Sequence, residues 1–206
     1  MSRLSYLVSS ILALTASSVA AQPMELHTAQ PEERHQGLFL RITPGVAGGA
    51  ATSDTGGDEL TLKGGAGRLG IAVGWAVSPR LILAAELLGH AVLGPEIESS
   101  GTTTETDDDV VWGISYAGAG LNYYLPSNLY FAASAGALLM SLETSDMKMA
   151  ETELGFALKL GVGREWWIAP KIGLGVGLEI LAGAVSDGEA DWTVATVGVA
   201  FSATYN

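Results

Sequence analysis

Cysteine is absent from the chain, which excludes disulfides and thiolate metal sites. Basic residues are scarce: 10 Lys and Arg stand against 22 Asp and Glu, for a formal net charge of −12. Nucleic-acid binding rests on neutralising phosphates with Lys and Arg, so this balance argues against a nucleic-acid partner. No apolar run of 18 residues follows the N-terminal segment, so a mature transmembrane helix is not expected. What is abundant points elsewhere. Hydrophobic residues make up 48% of the 206 positions, glycine occurs 27 times, and only 16% of residues are charged. A glycine-rich, hydrophobic chain without a helical span reads as one domain of many strands.

The first 21 residues have the layout of a secretory signal peptide. Arg3 supplies the positive end, Leu7 to Ala16 a short apolar core, and Val19-Ala20-Ala21 a small-residue cleavage site. Residues 22–36 are polar, interrupted by Pro23 and Pro31, and read as a flexible lead-in in which His27 and His35 are expected to be solvated. Residues 37–206 form the folded domain.

Its organising stretch is Ile172 to Ala184, IGLGVGLEILAGA. Side chains on a strand alternate faces. One face is therefore Ile172, Leu174, Val176, Leu178, Ile180 and Ala182, and the other is mostly glycine around Glu179. Such a strand suits a narrow closed barrel whose apolar face meets lipid. Eight strand candidates follow the same logic: Leu38–Gly48, Arg68–Val77, Leu81–Val92, Val110–Leu125, Leu129–Ser141, Thr152–Trp167, Ile172–Ala184 and Trp192–Tyr205. Most reach the ~9–11 residues that a tilted membrane-spanning strand needs. Connections alternate long (Gly49–Gly67, Leu93–Asp109) and tight (Ser78-Pro79-Arg80, Pro126-Ser127-Asn128), as outer-membrane barrels do. Aromatic residues near strand ends (Trp75, Tyr123, Tyr124, Tyr130, Trp166, Trp167 and Tyr205 on the turn side, Trp112 and Trp192 on the loop side) are expected to form headgroup-level girdles. The expected fold is all-β: an eight-stranded antiparallel up-and-down transmembrane β-barrel.

From Gly37 to Asn206 the chain resembles the small bacterial outer-membrane proteins grouped as OmpA-, OmpX- and OmpW-like barrels. The resemblance rests on the signal peptide, on Gly120 to Tyr124 (GLNYY) and Gly163 to Trp167 (GREWW) at two strand ends, and on the final strand TVGVAFSATYN. It implies the outer membrane of a Gram-negative bacterium, termini in the periplasm, lipids and lipopolysaccharide as surroundings, and the barrel-assembly machinery as a partner. The family's C-terminal aromatic assembly signal falls on Tyr205, where a terminal Phe is more common.

Strand alternation places Arg41, Glu86, Lys159 and Glu179 inward, together with Glu153, Glu165 and His90. Buried charges must be paired or wet, so the first four are expected to form a two-plus-two network that plugs the lumen. Two places resist the pattern. Pro44 lies inside strand one, where a bulge or an early strand end is one explanation. Trp112, Ile114 and Tyr116 fall on the inward set of strand four, which a bulge near Ala117 would turn outward. Acidic residues crowd the long loops, with Arg68 and Lys63 among the few basic ones there, and Asp107, Asp108 and Asp109 are the candidate cation-binding loop. His90, the one histidine of the barrel, reads as a rim residue with no obvious serine or carboxylate partner, so no enzyme activity and no cofactor are expected.

Three functions remain open on the sequence. The first is a non-catalytic barrel with a charge-plugged lumen and acidic loops in a structural or surface-interaction role, its surface ligand unnamed. The second, implied by the OmpW resemblance, is a narrow channel for small or hydrophobic molecules. The third is a soluble lipid-binding barrel, which the loop asymmetry and the aromatic positions count against.

Overall fold

The structure, a computed structural model, describes residues 35–206 apart from 56, 57, 100, 108 and 145–147. The signal peptide and the lead-in up to residue 34 therefore lie outside the described residues. Eight long strands build the barrel: β1 (Gly37–Thr55), β2 (Asp58–Ser78), β3 (Leu81–Leu93), β6 (Val111–Tyr124), β7 (Leu129–Glu143), β9 (Gly155–Ala169), β10 (Ile172–Ser186) and β11 (Asp191–Tyr205). Three short strands, β4 (Glu96–Ser99), β5 (Thr102–Glu105) and β8 (Lys148–Glu151), are added at the loop end. Each long strand pairs antiparallel with the next, and β1 pairs with both β2 and β11, which closes the sheet and leaves the barrel no edge.

The sequence reading of loop one is corrected. Gly49–Gly67 is ladder rather than loop: β1 and β2 stay paired from Gly37↔Ala76 to Thr55↔Asp58. At about 3.4 Å per residue these strands run far past the ~9–11 residues needed for a span, so their ends project as a ribbon. β4 extends this ribbon by pairing with Leu60 to Lys63 of β2, and β5 pairs with β4. On the ribbon Lys63 Nζ lies 3.0 Å from Glu98 and 3.7 Å from Glu96.

Neither suspected bulge exists. Pairing of β6 with β3 and β7 is unbroken from Val111 to Tyr123, so Trp112, Ile114 and Tyr116 point inward and are buried. The outward positions of β6 hold the small residues Gly113, Ser115, Ala117 and Ala119; size, not register, is inverted there. At Pro44 the ladder to β11 skips Thr43 and Pro44 and resumes in the same register, Ile42↔Ala203 and Gly45↔Ala200. Proline has no N–H to give, and the barrel tolerates the gap because pairing with β2 continues through Pro44↔Leu69.

The outer wall is apolar, with Leu69, Ile71, Leu87, Leu160, Leu178 and Phe201 among its exposed side chains. Inside, two apolar clusters occupy the ends. The turn-end cluster includes Phe39, Ile82, Tyr124 and Tyr130. The loop-end cluster includes Leu88, Trp112, Ile114, Tyr116, Leu138, Leu181, Trp192 and Val194.

The glycine face of β10 has a packing reason. Tyr130 faces its ladder partner Gly163, which in turn pairs with Gly177. A Cβ at Gly163 would come within 2.5 Å of the Tyr130 ring, and one at Gly177 within 2.7 Å of its hydroxyl. Glycine is required there by the approach of that ring. Gly163→Val should therefore lower unfolding stability by about 1–3 kcal/mol, the usual cost of overpacking. The double change Gly163→Val with Tyr130→Ala should lose less than the sum of the single changes, as read from urea unfolding in lipid vesicles.

Candidate functional site

Between the two apolar clusters the lumen is filled by charge. At the turn-end side Arg41 of β1 meets Glu165 of β9, Nη2 to Oε1 at 2.8 Å, with the Glu165 residue wholly buried. The guanidinium also donates to Thr204 (3.2 Å), Asn122 (2.9 Å) and the Tyr124 hydroxyl. Glu165 accepts further bonds from Thr204 (2.7 Å) and Tyr124 (3.0 Å). The Arg41 guanidinium lies 4.4 Å from the centre of the Tyr130 ring and 4.9 Å from that of Phe39. A carboxylate with this many donors, facing a cation held by aromatic faces, is a satisfied buried pair rather than a stranded charge.

A second set lies toward the loop end. Lys159 of β9 bridges Glu86 of β3 and Glu179 of β10, the latter at 3.6 Å. Arg68 of β2 donates to Glu179 at 2.6 Å. Ser134 donates to Glu86 at 3.3 Å and accepts from the Tyr116 hydroxyl at 3.0 Å. Together the two sets hold Arg41, Arg68 and Lys159 against Glu86, Glu165 and Glu179, three charges of each sign.

Alternation thus placed Arg41, Glu86, Lys159 and Glu179 on the inner face, but the expected grouping differs. Arg41 pairs with Glu165, not with the other three, and Arg68, read as a loop residue, is inside beside Glu179. Strands in a closed barrel are tilted and staggered. Residues equally far from their turns are then not equally deep, and counting along strands misjudges partners. Arg68 stands at the first position of the second strand candidate and groups with the loop-side charges in sequence, which hides its inward role, although its parity with Gly70 and Ala72 is available. Glu153 lies before β9 begins and is exposed, not inward. His90 is buried in the lumen rather than at the rim.

The spaces left are small. A cavity of about 20 Å³ lies among Arg41, Arg68, Glu86, Asn122, Lys159 and Glu179, and one of about 10 Å³ beside Arg68 and His90. Each is on the scale of a single water molecule. At the turn-end mouth His35 is buried, not solvated. Its ring stacks 3.8 Å from that of Tyr124, and Nδ1 is 3.2 Å from Asn206 Oδ1, which also accepts from the Gln36 N–H.

The girdle assignment needs correction. Trp75, Tyr123, Trp166 and Tyr205 are exposed on the outer wall near the turn end. Tyr124 (3% exposed), Tyr130 (2%) and Trp192 (9%) face inward, as does Trp112 (1%), and Trp167 is half-buried on the inward parity with its ring 5.4 Å from that of His35. Nearness to a strand end did not decide orientation; parity did. Of the candidate cation loop, Asp107 and Asp109 are exposed and Asp108 lies outside the described residues. Among the described residues no cluster of three or more His, Asp or Glu side chains is arranged to hold a metal ion.

The loop end holds an apolar cup of about 220 Å³, walled by Leu60 and Leu62 of the ribbon, Ile97, Met140 and Leu142, with Trp112 and Trp192 among its lining residues. The Trp192 indole donates to Asp187 Oδ2 at 2.9 Å, and Oδ1 of the same carboxylate accepts from the Ala190 and Glu189 N–H groups at 2.8 and 3.0 Å.

Among solved structures the chain is similar to neisserial surface protein A, with 12% identity, a TM-score of 0.54, and coverage of 82% of this chain and 97% of that one. The fold is that of a small eight-stranded outer-membrane barrel. Similarity also extends to OprG of Pseudomonas aeruginosa (11% identity, TM-score 0.49, 84% and 98% covered) and to Ail of Yersinia pestis (10%, 0.43, 81% and 99%). No family model matches the chain, and no curated protein matches it. The apolar wall of this barrel is accordingly its lipid-facing surface.

Two outcomes test the site. Lys159→Met leaves Glu86 without its cation and should cost about 3–5 kcal/mol, the penalty of breaking a buried pair. Adding Glu86→Gln should recover most of that loss in urea unfolding followed by tryptophan fluorescence. At the loop end, the Trp192 indole and the two backbone donors hold the Asp187 carboxyl below the usual carboxylate range. A folded-state pKa depressed in this way gives a contribution that is present above the unfolded value and lost as pH falls through the folded one. The Trp192 indole N–H resonance should therefore move in acid at a pH below the ordinary aspartate range, and Asp187→Asn should abolish that step.

Proposed function

We propose that the chain is a non-catalytic outer-membrane protein whose lumen is closed to ions. Its turn end and termini face the periplasm, and its acidic loop end faces outward. The observation that carries this reading is the neutral, mutually paired set of six buried charges between two apolar clusters, with cavities no larger than about 20 Å³ among them. An ion crossing this lumen would have to break bonds that satisfy buried carboxylates.

The loop end supports a structural or surface-interaction role. Its exposed acids, such as Glu105, Asp107, Asp109 and Glu189, suit a surface set among lipopolysaccharide phosphates bridged by divalent cations. The C-terminal strand turns Phe201 and Tyr205 to the outer wall, an arrangement that fits recognition by the barrel-assembly machinery. One observation favours the second reading, a narrow channel for small hydrophobic molecules. A groove of about 440 Å³ on the outer wall, along Gly89, Ser115, Ala117 and Ala137, offers such a molecule a seat on the lipid side of the barrel.

Conductance separates the readings for ions. Refolded mature protein in a planar bilayer should insert silently, and the triple change Glu86→Ala, Lys159→Ala, Glu179→Ala should produce stepwise currents. Reproducible steps from the unaltered protein would sink the closed-lumen proposal.

A further inference from the structure

The turn-end mouth holds a set of contacts that the closed lumen does not require. His35 precedes β1, yet it is 4% exposed. Its ring stacks on that of Tyr124, 3.8 Å between centres, and lies 5.4 Å from that of Trp167. Asn206, just after β11, ties it down. Asn206 Oδ1 accepts the Gln36 N–H at 2.9 Å and lies 3.2 Å from His35 Nδ1. Asn206 Nδ2 donates to the Leu38 carbonyl at 3.2 Å, and the Asn206 N–H donates to the Lys171 carbonyl at 3.1 Å. These partners fix the amide: its oxygen faces donors and its nitrogen faces a carbonyl. Nδ1 of His35 therefore carries the hydrogen, and an added proton goes to Nε2.

We propose that His35 and Asn206 form an acid-released latch at the turn end of the lumen, closed while the imidazole is neutral and open once it is protonated. Burial supplies the switch. A charged imidazole packed among aromatic rings gives up its hydration, and its bond to the neutral Asn206 amide is already made in the uncharged form. The groups that face it give little in exchange. Arg41 repels the added charge. Glu165 attracts it, but that carboxylate already accepts from Arg41, Tyr124 and Thr204. Tyr124 and Tyr130 are uncharged phenols. Aromatic faces attract cations, yet Arg41 already lies 4.4 Å from the Tyr130 ring and 5.9 Å from that of Tyr124. Lys171 and Arg164 lie over Tyr205 and Trp166, rings of the outer wall. Burial accordingly holds the His35 imidazole below the ordinary histidine range; Glu165 and the Asn206 bond pull against it, and Arg41 adds to it. The docked form thus binds fewer protons than the free one. The latch is complete above the free-imidazole value of about 6.5 and weakens as pH falls below it, by up to about tenfold per pH unit.

The latch spans the seam between the first and last strands, which pair along β1 and β11. It also shields Tyr124, whose hydroxyl bonds both Arg41 and Glu165. Opening it admits water to the turn-end face of that pair and leaves the Lys159 set untouched. Acid therefore changes the mouth and not the plug, and the inference stands whether or not the lumen conducts.

The test uses the full mature protein in lipid nanodiscs. The chain has no cysteine, so Gln36→Cys takes a single nitroxide label. Gln36 is exposed and meets Asn206 through its backbone N–H, which the substitution keeps. The label should be immobilised at about pH 7.5 and should gain a mobile fraction that grows below about pH 6. A label at Ser127→Cys, on the turn between β6 and β7, should show no such step. His35→Phe keeps a ring against Tyr124 but cannot titrate, so the Gln36→Cys label should stay immobilised throughout. Asn206→Ala should leave it mobile at both ends of the range. An independent reading comes from the ring-proton resonances of His35 in the unaltered protein, whose titration midpoint should fall below that of a free imidazole and coincide with the label's step. No mobile fraction at about pH 5, a step that persists in His35→Phe, or a midpoint at or above the free value of about 6.5 would each overturn the proposal.

Discussion

The pairing of three buried cations with three buried carboxylates is the constraint on which the rest of this barrel depends. Its members and their immediate partners come from every long strand: Arg41 on β1, Arg68 on β2, Glu86 on β3, Asn122 on β6, Ser134 on β7, Lys159 and Glu165 on β9, Glu179 on β10 and Thr204 on β11. A barrel wall is held by backbone ladders that are nearly the same at any register. A charge network whose partners face each other across the lumen is satisfied in one closure only. Leaving a member unpaired costs several kcal/mol, so the network disfavours a slipped register as well as stabilising the right one.

Where the network sits gives it this leverage. Apolar clusters cover it on both sides, with Phe39, Ile82 and Tyr130 toward the turns and Leu88, Leu138 and Leu181 toward the loops. The cavities found beside it among the described residues are about 20 and 10 Å³, the size of one water molecule. Attraction between charges is stronger in such surroundings than in an open channel, and so is the penalty for a missing partner. Beyond the network lies the ribbon formed by β1, β2, β4 and β5, whose Leu60 and Leu62 pack against the loop-end cluster and, with Ile97, wall a cup lined also by Trp112 and Trp192.

The sequence by itself determined the barrel. Period-two alternation, eight spans, tight turns alternating with long connections and a glycine face opposite an apolar one leave few architectures, because a strand in lipid must satisfy its backbone in a closed ladder and show lipid an apolar face. Parity also assigned Arg41, Glu86, Lys159, Glu165 and Glu179 to the inside, since that depends only on a side chain's place in its own strand. Parity would have corrected Tyr130 and Trp192 as well, had it been given precedence over their nearness to strand ends. Tertiary structure alone decided who meets whom. The partnership of Arg41 with Glu165, the entry of Arg68 and the split of one expected charge group into two all follow from the tilt and stagger of the strands, a property of the closed sheet that no single strand encodes. The cup was equally illegible, because it is made where a ribbon read as loop folds against strand ends distant in sequence.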